Sequence, residues 1–177
     1  MKILVFLFLL IVIGLIIFIY NSLIAKKNNV ENAYGSIDVM LKKRYDLIPK
    51  LKKLVDEYTE YEEDTLKDIT ELRTQVLEGD VTKEEELELN NQISDKMNGI
   101  IVAVEDYPEL KANENFLNLQ RNLNEIESQI AAARRNYNMV VTTYNNALEM
   151  FPSNIIASFL DYERKTVFVA TDEVRDY

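Results

Sequence analysis

Histidine and cysteine are both missing from this 177-residue chain. Without an imidazole there is no Ser–His–Asp triad, no imidazole metal site and no histidine general base. A ferritin-like di-iron centre is excluded too, because it needs Glu-x-x-His pairs. Without a thiol there is no disulfide, thiolate nucleophile or zinc–thiolate site, which is compatible with either side of a membrane. Turn formers are scarce, with 4 glycines and 3 prolines. Sheets and loop-rich folds need more of them, so a few long helices are expected. No Gly-rich phosphate loop is present. Basic charge is also short. Residues 1–20 carry only Lys2, so the remainder sets 30 acids against 19 bases within a net charge of −10. Such a chain does not attract nucleic-acid phosphates. It stays soluble by self-repulsion or meets a basic partner. With these side chains missing, no cofactor and no enzymatic activity are expected.

What the chain does have is periodicity. Phe116, Leu119, Leu123, Ile126, Ile130, Ala133, Tyr137, Val140, Tyr144, Ala147 and Phe151 alternate in steps of three and four. That spacing keeps one apolar seam on a helix packing at a shallow angle. At about 1.5 Å per residue such a helix spans roughly 54 Å. It cannot bury its seam alone, so other helices must cover it.

Ile3 to Tyr20 is apolar without a charge. About 20 such residues cross a hydrocarbon core. Tyr20 suits the interface, with Asn21, Ser22, Lys26 and Lys27 following in the headgroup zone. The run is long for a signal-peptide core and no small-x-small site follows, so it reads as an uncleaved anchor. Lys26, Lys27, Lys42, Lys43 and Arg44 follow the span where only Lys2 precedes it. The positive-inside bias then places a short N-terminus outside and the body in the cytoplasm.

Leu23, Val30, Ala33, Ile37 and Met40 or Leu41 share a stripe, so the anchor can run on into a first body helix. Asp38, beside that stripe, is either an exposed carboxylate at a bundle edge or a buried partner for an arginine on the long helix. Pro49 disfavours helix at Ile48, and Asp46 can cap the next helix. A chain reversal is expected there, with a kinked continuous helix as the alternative. Lys42, Lys43 and Arg44 complement the dipole at that helix end, or form a docking patch.

The second helix has its apolar face on Leu51, Leu54, Tyr58, Tyr61, Leu66, Ile69, Leu72 and Val76. Glu57, Glu60, Glu62, Glu63 and Asp64 cluster mid-helix. Consecutive helical residues diverge and no EF-hand loop is present, so they read as a solvated face, not a metal site. Gly79-Asp80 ends that helix, and Thr82 with Glu85 forms a capping box for the third. The third helix has its stripe on Leu89, Ile93, Met97, Ile100, Val104 and Tyr107. Gly99 inside it suggests close backbone contact with a neighbour.

Longer blocks carry a resemblance. Ala33-Tyr34-Gly35-Ser36-Ile37-Asp38-Val39-Met40-Leu41-Lys42-Lys43-Arg44-Tyr45-Asp46-Leu47-Ile48-Pro49 resembles the N-terminal signature of the LemA family. Tyr107 to Asn113 and Phe116 to Gln120 are similar to its middle block. Ile130 to Asn138, Tyr144-Asn145 through Phe151-Pro152, and Ile156-Ala157 are similar to its last. The resemblance runs from the anchor to about Phe168. It implies a bacterial single-pass membrane protein with a four-helix bundle, and it brings no activity with it. Tyr34 stands where the family usually has Trp. Lys50 and Lys52 alter the usual Asn-Leu-Val after the proline, and Asp161-Tyr162 replaces a Gly-Phe pair.

The expected fold is all-α: an N-terminal transmembrane helix followed by an up-and-down four-helix bundle with long helices. The anchor takes residues 1–20 and the bundle 21–160, with helices over about 21–45, 48–78, 83–106, 113–150 and a short segment 153–160. Residues 161–177 form a tail, loosely held from Thr166 onward. The short segment, with Ile155, Ile156, Phe159 and Leu160, should lie near the bilayer or pack on the bundle's end. Expected partners are the lipid bilayer through residues 3–20 and a protein, with no nucleic acid. Candidate docking residues are Lys42, Lys43, Arg44, Asp46, Arg134, Arg135 and Tyr144. For Tyr144 core packing is the competing role, since it lies on the seam. The functional expectation is a membrane-tethered interaction or scaffold module. The alternatives are a ligand-sensing bundle that signals through its anchor, and a carboxylate enzyme.

Overall fold

The computed structural model describes residues 1–58 and 63–168. Among them every regular element is helical: α1 (Lys2–Tyr45), α2 (Ile48–Asp56), α3 (Glu63–Glu78), α4 (Lys83–Ala103), α5 (Pro108–Lys111), α6 (Glu114–Glu149) and α7 (Ser153–Phe159), with a 3-10 turn at Val104–Asp106. The all-α class with an apolar N-terminal helix is therefore what the chain adopts. It forms two compact units, one of residues 1–37 with 131–177 and one of residues 38–130.

In the first unit, α1 starts as a naked apolar rod. An 18-residue window of it has a mean hydropathy of 3.4 and is 0% buried by protein. It is long and apolar enough to cross a bilayer. Burial begins at Leu23, and Val30 joins Val141 and Tyr144 of α6 in a core flanked by Tyr137, Val140, Leu148 and Tyr162. The seam expected on Val140 passes to Val141, which is fully buried. A strict heptad drifts about 20° per repeat on a straight helix, enough to hand the inward position to the next residue. Phe151, also expected on the seam, is 79% exposed, because α6 ends at Glu149 and the register ends with it.

After α7 the chain turns sharply. Tyr162 N–H donates to the Ala157 carbonyl at 3.1 Å and Asp161 N–H to that of Ser158 at 3.3 Å. Asp161 has a φ of 54°, the left-handed position of a Schellman stop, where Asp is among the few non-glycine residues at home. The turn sends residues 162–168 back along α6. Thr166 to Phe168 are thus held, against the loose tail expected there; residues 169–177 lie outside the described part.

The second unit draws its core from Leu41, Ile48, Leu51 and Val55, from Leu66 and Ile69 of α3, from Ile93, Met97 and Ile100 of α4, and from Phe116, Leu119 and Leu123 of α6. The chain does not reverse at Pro49. Leu47 keeps right-handed helical torsions and accepts from both Lys50 and Leu51, so α1 continues into α2 with one break. Proline costs the helix its own N–H bond there without forcing a turn. Asp46 caps nothing and stays exposed. Thr82 and Glu85 form the expected capping box at the start of α4. Gly99 lies on an exposed face with nothing near its missing Cβ, so no close helix contact explains it. Asn113 starts α6 by accepting from Asn115 N–H at 2.8 Å, while its amide donates to the Tyr58 hydroxyl at 2.9 Å. Of the acidic cluster, Glu57 and Asp64 are exposed, and Glu60 and Glu62 lie outside the described residues, as does Tyr61.

Candidate functional site

In the second unit, α4 and α6 converge on one cation carried by α1. Arg44, in the last turn of α1, is 0% exposed. Its guanidinium donates to Ser94 Oγ at 2.5 Å and to Glu127 Oε1 at 2.9 Å. It also donates to the Asn90 side-chain oxygen at 2.7 Å and the Asn90 carbonyl at 3.2 Å. The Tyr45 hydroxyl donates to the same Asn90 oxygen. Arg73 of α3 donates to the Tyr45 carbonyl at 3.1 Å, so α3 is tied in through the backbone. The fork of donors on a guanidinium can serve several acceptors at once, and this is what lets a charge be buried in full. Glu127 keeps 44% of its side chain in solvent, so the pair has one dry end and one wet end.

Burial pushes the Tyr45 hydroxyl up from 10.0 to about 12, against the lowering influence of the nearby Arg44 charge. The neutral phenol is the form the folded state favours. Its contribution to stability is therefore full below pH 10 and is lost as pH rises through about 12. In an ultraviolet titration of tyrosinate, subtracting the curve of Tyr45→Phe should isolate one group ionising near pH 12. A difference curve centred at 10 would contradict this burial.

The seven candidate docking residues are divided between the two units. Lys42, Lys43 and Asp46 are exposed at the end of α1 in the second unit. Arg44 is withdrawn from them, because its side chain leaves the helix on the core face and finds four acceptors there. Arg134, Arg135 and Tyr144 belong to the first unit. Arg135 is exposed, and Arg134 lies 5.6 Å over the Phe168 ring. Tyr144 is buried in the core with Val30 and Val141, so packing is its role, and burial with Tyr162 nearby raises its pKa. Asp38 is exposed. The buried pair has the reverse polarity of the one considered for it, with the arginine on the first helix and the carboxylate on the long one.

Two sets of residues escape a reading of the apolar pattern alone. Asn90 precedes Ile93, Met97, Ile100 and Val104 in an unbroken three-four rhythm, a polar residue on a seam. Asn138 and Asn145 each follow a seam tyrosine, as Tyr137-Asn138 and Tyr144-Asn145, seven residues apart. Both asparagines bind the backbone of the returning C-terminal segment.

Among the described residues, fold and site together define a helical protein with one membrane-length apolar helix and a buried arginine knot in its body. The LemA family model matches residues 33–176, and the chain belongs to the LemA family. A Protein LemA of Metamycoplasma hominis is 31% identical over 170 residues, covering 94% of this chain and 78% of that protein. The magnetosome proteins MamQ 1 and MamQ 2 of Paramagnetospirillum magneticum are each 21% identical over 174 residues, 84% of this chain and 64% of theirs. The chain thus spans less than two thirds of the length of these last two.

Proposed function

We propose that the protein is a non-enzymatic, membrane-tethered interaction module. The apolar part of α1 holds it in the cell membrane, with the short N-terminus outside and the body in the cytoplasm. A protein partner docks on the basic end of α1. The observation that carries this reading is the split within one tripeptide. Arg44 is consumed by the core, while Lys42 and Lys43 stand in solvent with no ion pair among the described residues. Lys50 and Lys53 of α2 are exposed just beyond them. In a chain of net charge −10, a group of unpaired lysines selects an acidic partner and steers its approach. Near the other end of the sequence Met150, Phe151, Ile155 and Phe159 are exposed apolar side chains in the unit that holds the membrane-length helix. A bilayer surface is a cover suited to them.

The test is crosslinking and pull-down from membranes with Lys42→Glu and Lys43→Glu together. Both positions are exposed, so helical content should not change, and the recovered partner should fall by about tenfold or more, as loss of two steering charges allows. An unchanged partner list overturns the docking patch. A second reading, a bundle that senses a small ligand, draws on a cleft of about 480 Å³ beside Thr142, Asn146 and Thr166. The same experiment separates the two, because a sensor keeps its partners when the lysines are reversed.

A further inference from the structure

The middle of the returning segment is held through its backbone, beside one ion pair from Arg164 to Glu149 of α6. Asn145 donates to the Lys165 carbonyl at 2.8 Å and accepts from the Lys165 N–H at 3.0 Å. Asn138 does the same to Phe168, at 2.9 and 2.8 Å. Each side-chain amide thus serves both backbone groups of one residue, as a neighbouring strand would. The spacing is informative. Seven residues of α6 rise about 10.5 Å. Three residues of polyproline II rise about 9.3 Å, and that helix returns its backbone groups to the same side every third residue. A β-strand repeats every second residue and would present Lys165 and Phe168 on opposite sides.

The ends are fixed by rings. Phe168 meets Tyr137 edge-on at 4.9 Å under Arg134, and Tyr162 lies 6.5 Å from Tyr144 with the Lys27 ammonium 5.2 Å from its ring. Between them Glu163, Arg164, Lys165, Thr166 and Val167 are exposed. We propose that the Tyr137-Asn138 and Tyr144-Asn145 face of α6 is a peptide-binding site that reads polyproline II backbone. Residues 162–168 are its tethered occupant, and the ligand in trans is a partner segment with two aromatic side chains six residues apart. Tethering gives the resident segment a high effective concentration, so it sets a threshold that a partner must exceed. This site is independent of the lysines at the end of α1.

The test uses the full chain in detergent and a fluorescent peptide with the sequence of Asp161 to Phe168. Tyr162→Ala with Phe168→Ala loosens the resident segment and leaves the α6 face intact. The peptide should bind this variant saturably, and about tenfold more tightly than it binds the unaltered chain. Within the peptide, Lys165→Pro removes a clamped N–H and should weaken binding about fivefold. Thr166→Pro favours polyproline II at no cost in bonds and should bind at least as well. Alanine at the positions of Glu163, Thr166 and Val167 should change affinity by less than about threefold, since these side chains face solvent; Arg164 is kept, because it pairs with Glu149 of α6. On the unaltered chain, excess Thr166→Pro peptide should speed hydrogen exchange at the Lys165 and Phe168 amides. Absence of saturable binding, equal binding of the two proline peptides, or unchanged exchange at high peptide overturns the proposal. So does loss of binding by the alanine peptide, which would restrict the face to the segment of a second copy of this chain.

Discussion

Arg44→Ala should destabilise the second unit by about 2–5 kcal/mol, the range for truncating a long, fully buried side chain to alanine. The change removes the donor shared by Ser94, Asn90 and Glu127 and leaves a void where a long side chain was packed. Not every acceptor suffers equally. Glu127 reaches solvent with 44% of its side chain and can exchange the guanidinium for water. Asn90 is 1% exposed and cannot. Yet Asn90 Oδ1 keeps the Tyr45 hydroxyl and its carbonyl keeps Ser94 Oγ, so the cost sits mainly on the cavity, and thermal or urea unfolding of the full chain in detergent would measure it. A loss under about 1 kcal/mol would show that the knot is ornamental to stability.

The comparison that reveals its purpose is an apolar replacement of the whole group. Arg44→Met, Tyr45→Phe and Asn90→Leu together remove the charge, the phenol and the amide while roughly conserving volume. Buried ionic groups are often matched or exceeded in stability by apolar residues of similar size. The triple variant should thus recover to within about 1–2 kcal/mol of the parent, far above Arg44→Ala. If it does, the knot serves to fix which helix faces which, since one cation must find partners on α4 and α6 simultaneously.

These results bear on what sequence reveals. The apolar rhythm of α6, the Thr82–Glu85 box and the charge-free run of α1 are legible because each is a local rule with one reading. Arg44 is not, because basic residues at a helix end have a dipole explanation that satisfies the local pattern. Yet Arg44 lies three residues beyond Leu41, which continues the stripe of Val30, Ala33 and Ile37. Its burial follows from that phase once a polar residue is allowed on a seam. Asn90 is masked in the same way by its apolar neighbour Leu89. The Tyr-Asn pairs at 137–138 and 144–145 carry a repeat of seven, but what they hold is a backbone, and no side-chain pattern in residues 162–168 announces it. The kink at Pro49 turns on torsions at Leu47 that composition does not dictate.

Leu9→Arg together with Ile13→Arg should release the chain from membranes. The two positions are four apart and so share one face near the middle of the apolar run. On an insertion scale each arginine at a helix centre costs about 2.5–3.5 kcal/mol and each lost aliphatic about 0.3–0.6, so the pair shifts insertion by about 6–8 kcal/mol. Leu4→Arg is the control. Near the end of the run its head can reach the interface, and the chain should remain bound. Resistance to alkaline extraction reads the outcome. The released double variant should still be folded, because the apolar window of α1 is 0% buried and gives nothing to the protein core. Its circular dichroism should keep a strong helical signal, and its body should unfold as cooperatively as the parent's. Membrane attachment and folding are then separable properties of one continuous helix. If the double variant instead stays in the membrane, the attachment must come from elsewhere, and the exposed apolar side chains of Met150, Phe151, Ile155 and Phe159 are where to place the next charge.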